Sequence, residues 1–295
     1  MRKLLRKCKT KGFYFTPFNY IKWVTPSWTH SIEFQNIGAS HEAVSEGAVL
    51  PLPTEAVKYC IDGCFFGLLW DKMEALENKD RDDVEAAVSD LKTRTQDFIT
   101  MCSKLILDCS EDAWKEQAFL SICDLLIMFA HAQTGKLAEM QYTPDNELPA
   151  ILNQFVQSYV FIEDTDDEID DHQKIEELHK RRNFLASYCK LIVYNVIPTQ
   201  FAADIFKHYV TFYNDYGDII KATLGKAREN NKTNCAKTMV QSLINKFNRL
   251  KEAGDIDRNG EEFHSIKVET GVYTVYVKNK CCEKLQLWGD LLTTS

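Results

Sequence analysis

From Thr54 to about Glu252, apolar residues recur at intervals of three and four, the spacing that lines one face of an α-helix. "TEAVKYCIDGCFFGLLWDKMEAL" opens with Thr54 as a candidate N-cap after Pro53, and carries Val57, Ile61, Phe65, Leu68 and Leu69 on one stripe. "RDDVEAAVSDLKTRTQDFITMCSKLIL" repeats the pattern, and "AWKEQAFLSICDLLIMFAHA" is apolar nearly all round, which predicts a helix buried on most sides. A shorter helix is predicted over "ELPAILNQFVQSYVF". "KIEELHKRRNFLASYCKLIVYNVI" follows, with Pro198 expected to stop it. "FAADIFKHYVTFYNDYGDIIKATLGKARE" reads as one long helix with Ile205, Tyr209, Phe212, Tyr216, Ile219 and Ile220 inward. "TNCAKTMVQSLINKFNRLKEAG" closes the series, with Gly254 as a candidate C-cap.

Helices in consecutive pairs, each pair taking about 40–50 residues, have the spacing of a HEAT-like α-solenoid. The expected fold class is therefore all-α, an α-solenoid of antiparallel helix pairs, with a compact helical bundle as the alternative. The helical-repeat region is placed at 35–267 and contains an acidic loop at 163–171. Residues 1–34, aromatic and proline-punctuated, form an irregular N-terminal segment. Residues 268–295 form a divergent tail, in which "GVYTVYVKNK" alternates like a strand.

Composition narrows the function classes. A formal net charge of −8 over 295 residues argues against a generally basic nucleic-acid binder but leaves room for a local basic face. The 10 cysteines include no CxxC pair, and Cys60, Cys64, Cys102, Cys123, Cys189 and Cys235 fall inside apolar helical patterns, where a thiol acts as a small hydrophobe. Core packing is therefore expected for Cys60 and Cys64 rather than a metal. No segment approaches the ~18 uninterrupted apolar residues of a membrane span. The start "MRKLLRKCKTKGFYF" lacks the apolar stretch of a signal peptide, and a basic nuclear address is one reading of it.

Candidate chemistry sits in two acidic stretches. "DDEID", Asp166 to Asp170, resembles the Mg²⁺–diphosphate motif of all-α prenyl synthases and terpene cyclases, and "NDYGD" begins like the second cyclase motif. Yet that motif wants a hydroxyl and then a Glu at the next turns, where this chain has Asp218 and Ala222. The first motif also lies in a continuous acid run. There is no Gly-rich phosphate loop, HExxH or GxSxG, and His131, His179 and His208 stand isolated, as expected of surface or helix-end positions. No catalytic residue, metal ligand or cofactor is assigned. At ~100° per residue, Asp204, Asp215 and Asp218 share a flank beside the aromatic stripe, with Lys221 one turn on. That flank suits a partner carrying Lys or Arg, and Gly217 would let a partner backbone come close. Lys180, Arg181 and Arg182 in "HKRRN", and Lys226, Arg228 and Lys232 further on, could contact DNA or an acidic partner. The first three could equally neutralise the acids just before them, Glu176 and Glu177 included. A nuclear-import type of helical-repeat adaptor would want regularly spaced Trp/Asn pairs, which the five tryptophans do not supply.

Longer strings are more specific. "IEELHKRRNFLASYCKLIVYNVI", "AADIFKHYVTFYNDYGDIIKATLGKARENNKTNCAKTMVQSLINKFN" and "KEQAFLSICDLLIMFAH" closely resemble the cohesin SA subunit family (stromal antigen, STAG), as do "YTPDNEL" and "YVFIEDTDDEIDD". The resemblance runs from about Phe34 to Lys267. It implies a non-catalytic HEAT-type scaffold, nuclear and chromosome-associated. Such a scaffold binds the kleisin subunit of cohesin and through it the SMC subunits, engages chromatin and DNA, and supports sister chromatid cohesion. It would use no membrane, cofactor or small-molecule substrate. The resemblance also implies that Asp218 lies on the kleisin-contacting surface with Tyr213, Asp215 and Lys221 as neighbours and Asp204 on the same flank. Family members are several times longer, so the chain reads as an internal fragment or truncated form.

Overall fold

The computed structural model describes residues 54–80, 82–132, 134–162, 170–252 and 260–276. Residues 1–53 and 277–295 and most of the acidic run lie outside them, and so do the readings made there. Gly254 and the alternation beyond Tyr276 share that position. Among the described residues the order is α1 (Thr54–Glu77), α2 (Val84–Asp108), α3 (Asp112–Phe129), a 3-10 turn (Gly135–Met140), α4 (Glu147–Tyr159) and α5 (Asp171–Val193). A second 3-10 turn (Thr199–Ala202) then runs into the single-turn α6 (Ala203–Phe206), followed by α7 (Tyr213–Asn230), α8 (Lys232–Glu252) and α9 (Glu261–Tyr276).

The topology follows from where each apolar stripe finds cover. Helices α1, α3, α5 and α7 pack side by side in one row; α2, α4 and the α6 region form the second, and α8 closes against α6, α7 and α9. Contact between every second helix in a row is what makes a two-layer α-solenoid. Helix α3 shows why its sequence lacks a polar face: Ala118, Phe119, Ile122, Cys123, Leu125 and Leu126 are all fully buried, covered by α1, α2 and α5. Each large side chain buried this way contributes roughly 1.5–3 kcal/mol. The aromatic rings of Phe119, Phe155 and Phe184 lock α3, α4 and α5 together, with Phe119 stacked on Phe155 at 4.2 Å and Phe184 edge-on to both.

Two helix ends differ from the sequence reading. Helix α5 stops before Pro198. Asn195 adopts a left-handed φ of 55°, its N–H donates to the Ile192 carbonyl at 3.1 Å, and the Val196 N–H donates to the Leu191 carbonyl at 2.8 Å. That is a Schellman end, with Asn in the place where its short side chain tolerates positive φ. The expected long helix over 201–229 is also broken, because Lys207–Phe212 forms turns between α6 and α7. The run His208-Tyr209-Val210-Thr211-Phe212 is aromatic and β-branched, of weak helix propensity, and side-chain hydrogen bonds hold the corner. Helix α8 starts at Lys232, with Asn231 Oδ1 accepting the Asn234 N–H at 2.9 Å as an N-cap.

Helix α9 corrects the strand reading of the tail. Gly271–Tyr276 is helical, and the boundary expected at 267/268 falls inside the helix. Phe263, Ile266 and Tyr273 are buried, and the Tyr273 hydroxyl donates to the Phe206 carbonyl at 2.7 Å. With no strand among the described residues to join, the alternation yields to the burial that a helix against α8 offers. Glu269 is carried inside with this helix, 0% exposed, and accepts from Lys246 Nζ at 2.7 Å, while its Oε2 has no partner. Burial pushes its carboxyl up to about 7, although Lys246 and the Val210 backbone N–H pull the other way. The folded state thus holds the proton more tightly than the unfolded chain, whose value lies near 4.5. The stability from this group is complete below pH ~4.5 and is lost as pH rises through about 7, a loss on the order of 2–3 kcal/mol. Glu269→Gln is expected to remove that slope. In urea denaturation the wild-type chain should lose about 2–3 kcal/mol more than the variant between pH 5 and pH 8. Parallel pH profiles would mean that Glu269 stays ionised.

Candidate functional site

Helix α7 packs against α5 and α8 and buries Tyr216, Gly217, Ile220, Thr223, Leu224 and Ala227, while its other flank faces out. Tyr216 sets the depth of the helix by donating its buried hydroxyl to the Val160 carbonyl at 3.1 Å. At the far end, Asn230 Nδ2 donates to the Val193 carbonyl at 2.8 Å, tying α7 to the end of α5. On the outward flank, positions 213, 217 and 221 stack one turn apart beside 214 and 218. With Arg182 of α5 they line a groove of about 420 Å³.

The charge in this groove is mixed rather than acidic. The guanidinium of Arg182 forks onto Asp218, with Nη2 to Oδ2 at 2.6 Å and Nη1 to Oδ1 at 3.1 Å, and Nη1 also donates to the Asp215 carbonyl. This bidentate pair holds the Asp218 carboxyl below its usual range, chiefly through the hydrogen bonds from Arg182, against a smaller opposing effect of burial. The carboxylate nevertheless remains 67% exposed. Lys221 is exposed on the next turn, and Tyr213 is exposed beside it at 55%.

Gly217 does not offer a bare backbone to a partner, as the sequence reading expected. A Cβ there would lie 3.0 Å from Tyr213 Cδ2, so the tyrosine ring already covers the glycine. Tyr213 in turn meets Tyr209 edge-on, with ring centroids 5.5 Å apart.

Asp204 is separated from this strip. It sits on α6, where its carboxylate accepts from Asn153 Nδ2 at 3.0 Å, Asn245 Nδ2 at 3.2 Å and Lys207 Nζ at 3.2 Å. Gln157 donates to the Asp204 backbone carbonyl at 3.2 Å and meets His208 Nε2 at 2.8 Å through its own Oε1. This network bridges α4, α6 and α8 and fixes the corner that the sequence hid. His208 is likewise no surface residue: its ring stacks on Phe161 with centroids 3.9 Å apart, and burial pulls its pKa down to about 3, so it stays neutral.

The basic residues divide in the same way. Lys180 reaches across to Glu116 of α3 at 2.6 Å and is 3.6 Å from Glu177; Arg181 is 3.5 Å from Glu177; Arg182 takes Asp218. Two of these four pairs go to Glu177, the neutralisation expected from the sequence, and the other two run to neighbouring helices of the row. Lys226 pairs with Glu229 at 2.7 Å, while Arg228 and Lys232 are exposed around the α7–α8 connection. Among the described residues there is no cluster of three or more His, Cys, Asp or Glu that could hold a metal ion. Of "DDEID", only Asp170, which precedes α5, is described. Cys102, Cys123, Cys189 and Cys235 are buried. Cys64 packs against the core, and burial pushes its thiol up to about 11.

No family model matches the chain. Comparison with curated proteins is decisive. Cohesin subunit SA-1 of Xenopus laevis is 38% identical over 244 residues, 78% of this chain. Cohesin subunit SA-3 of Homo sapiens is 34% identical over 217 residues, 71% of the chain, and cohesin subunit scc-3 of Caenorhabditis elegans is 32% identical over 183 residues, 61% of the chain. The chain belongs to the cohesin SA family. It spans under a fifth of the length of these SA relatives, covering 18%, 17% and 16% of them respectively.

Sequence reasoning missed Arg182 as the partner of Asp218. The two lie 36 positions apart, and only the α5–α7 packing brings them together. The Tyr213 lid over Gly217 had a one-dimensional signal, the i,i+4 spacing, that could have disclosed it. For Gly217→Ala two effects oppose: gained helix propensity of about 0.8–1 kcal/mol and displacement of an exposed ring. Because Tyr213 can swing into solvent, propensity should win, and urea denaturation is expected to show stability raised by up to about 1 kcal/mol. A loss of more than about 1 kcal/mol would show that the ring is held in place.

Proposed function

We propose that this SA-family chain is a non-catalytic cohesin scaffold whose α7 groove docks the kleisin subunit, and that through kleisin and the SMC subunits it supports chromatin association and sister chromatid cohesion in the nucleus. The observation that carries the reading is the pairing of an ionised, largely exposed Asp218 with an exposed Tyr213 on one rigid helix flank. A carboxylate with free lone pairs beside an aromatic face suits a partner helix bearing Arg or Lys, which can bond the acid and lay its stem on the ring. Asp215 and Lys221 border the strip and set its register with opposite charges.

The docking surface is confined to Asp218, Asp215, Tyr213 and Lys221. Asp204 supports it from behind, since its three side-chain donors leave it part of the corner that aims α7. Lys180, Arg181 and Arg182 are engaged in ion pairs within the scaffold. Any direct DNA contact in this stretch would fall to Lys226, Arg228 and Lys232 around the α7–α8 connection, where phosphate contacts would make binding salt-dependent.

The test is a titration of the purified chain with a central segment of a cohesin kleisin. Asp218→Lys is expected to weaken binding by on the order of 1–3 kcal/mol while circular dichroism shows helicity intact. Asp218→Asn should give a smaller loss in the same direction, because it removes charge without adding a cation opposite Arg182. Saturable binding that neither variant changes would remove Asp218 from the site.

A further inference from the structure

Helix α1 is apolar on two opposite sides, and only one of them meets the core. It packs on α2 and α3 and buries Val57, Ile61 and Leu68. On the other side Tyr59, Phe66 and Trp70 stand 71%, 56% and 42% exposed. At ~100° per residue these three fall within about 40° of one another and roughly opposite the buried stripe. They make one aromatic face about three turns long. A Cβ on Gly67, beside it, would meet nothing within 4 Å, so the space there is open. Single exposed rings are ordinary, but a contiguous apolar face marks a surface that something covers. Helix α3 has row neighbours on both sides, α1 and α5, and so has α5, whereas among the described residues α1 has only α3.

The 53 residues that lead into Thr54 argue for one occupant. Phe13–Trp28 holds seven aromatic side chains in 16 positions, where aromatics make up 12% of the whole chain. Residues 1–28 also carry seven Lys or Arg and no Asp or Glu. Helix α1 has the opposite balance, five acids against two lysines. One lysine, Lys72, is buried, and the other, Lys58, lies 3.3 Å from Glu55. Of the remaining acids, Asp71 is matched by Arg94 of α2, while Asp62 accepts from the neutral amide of Gln117. Asp62, Glu74 and Glu77 fall within about 60° of the aromatic face. Reach is no obstacle. Trp70 is about 24 Å along the helix from Thr54, and the 25 residues between Trp28 and Thr54 extend to about 80 Å. A covalent link of that length sets an effective concentration on the order of millimolar, which a second copy or a free partner has to exceed.

We propose that residues 1–28 dock back on α1 as its intramolecular partner, the aromatic side chains of Phe13–Trp28 lying on Tyr59, Phe66 and Trp70. The Lys and Arg residues between Arg2 and Lys11 face Asp62, Glu74 and Glu77. Ring-on-ring contact gives the apolar part its preference for this face, and the opposite charges set its direction along the helix. While the segment lies there, α1 is closed to any other helix.

The test is photo-crosslinking of the full chain, dilute and purified, with p-benzoylphenylalanine in place of Phe66. After irradiation the product is expected to run as a monomer, and mass spectrometry should find the new bond on a peptide from residues 13–28. Limited trypsin digestion supplies a second readout at Lys22, inside the aromatic stretch. Cleavage there follows the population of the undocked segment. Phe66→Asp and Trp70→Asp, both at exposed positions, are each expected to speed it about ten-fold or more. Tyr194→Asp, which alters an exposed aromatic at the end of α5, should leave the rate unchanged within about two-fold. Cross-links that join two chains would overturn the proposal and give the face to a second copy. Bonds formed only outside residues 1–28, or none at all, would overturn it as well. So would an unchanged rate at Lys22 in both α1 variants, or a rate raised equally by Tyr194→Asp.

Discussion

Burial of α5 is the constraint on which the rest of the structure turns. Phe184, Leu185, Tyr188, Leu191 and Ile192 are all at or near zero exposure, so this helix needs apolar cover from several directions at once. Helix α3 supplies it on one side, α7 on the other, and α4 from the second row. Because the three neighbours cover different faces, none can be replaced by a shift of another, and the row order follows from one helix's sequence. The polar exits are placed accordingly. Lys180 leaves toward α3 and Arg182 toward α7, as side chains about 200° apart on a helix must.

Those two ion pairs do not hold the stack together. Exposed pairs contribute about 0–1 kcal/mol each, against roughly 1.5–3 kcal/mol for a single buried Phe or Leu, and α5 buries several. Their effect is on what a partner meets. Arg182 keeps Asp218 ionised and aimed, and opening that exposed pair costs a partner less than about 1 kcal/mol. A charged hydrogen bond formed in a newly desolvated interface is worth about 1.5–3 kcal/mol. In the proposed docking, Arg182 would therefore be a guide for an incoming cation rather than a bar to it.

The helices were legible in the sequence because their periodicity reports burial directly. The all-apolar pattern of "AWKEQAFLSICDLLIMFAHA" became a helix buried on most sides. The misses share a cause. Asn195 ends α5 through backbone geometry, and the corner at 207–212 is held by Asn153, Gln157 and Asn245, residues 41 to 51 positions distant from their partners. The tail's alternation of apolar residues was compatible with either period, and only the presence of α8 as a packing surface decides for helix. Pairings between elements leave no trace in a periodicity, so Arg182 with Asp218 stayed hidden while each residue alone looked like a surface charge.

The hidden corner has a consequence for the site. In an unbroken helix Asp204 would share the flank of Asp218 and the strip would be strongly acidic. The break turns Asp204 inward, where three side-chain donors satisfy it, and leaves a strip with Asp218, Lys221 and the Tyr213 ring. A uniformly acidic face would attract any basic chain at long range and discriminate poorly among them. In the proposed docking, acid, base and aromatic ring in fixed order along one flank would require the partner to match positions, so the same break that shortens the helix would convert an unspecific charge into a pattern.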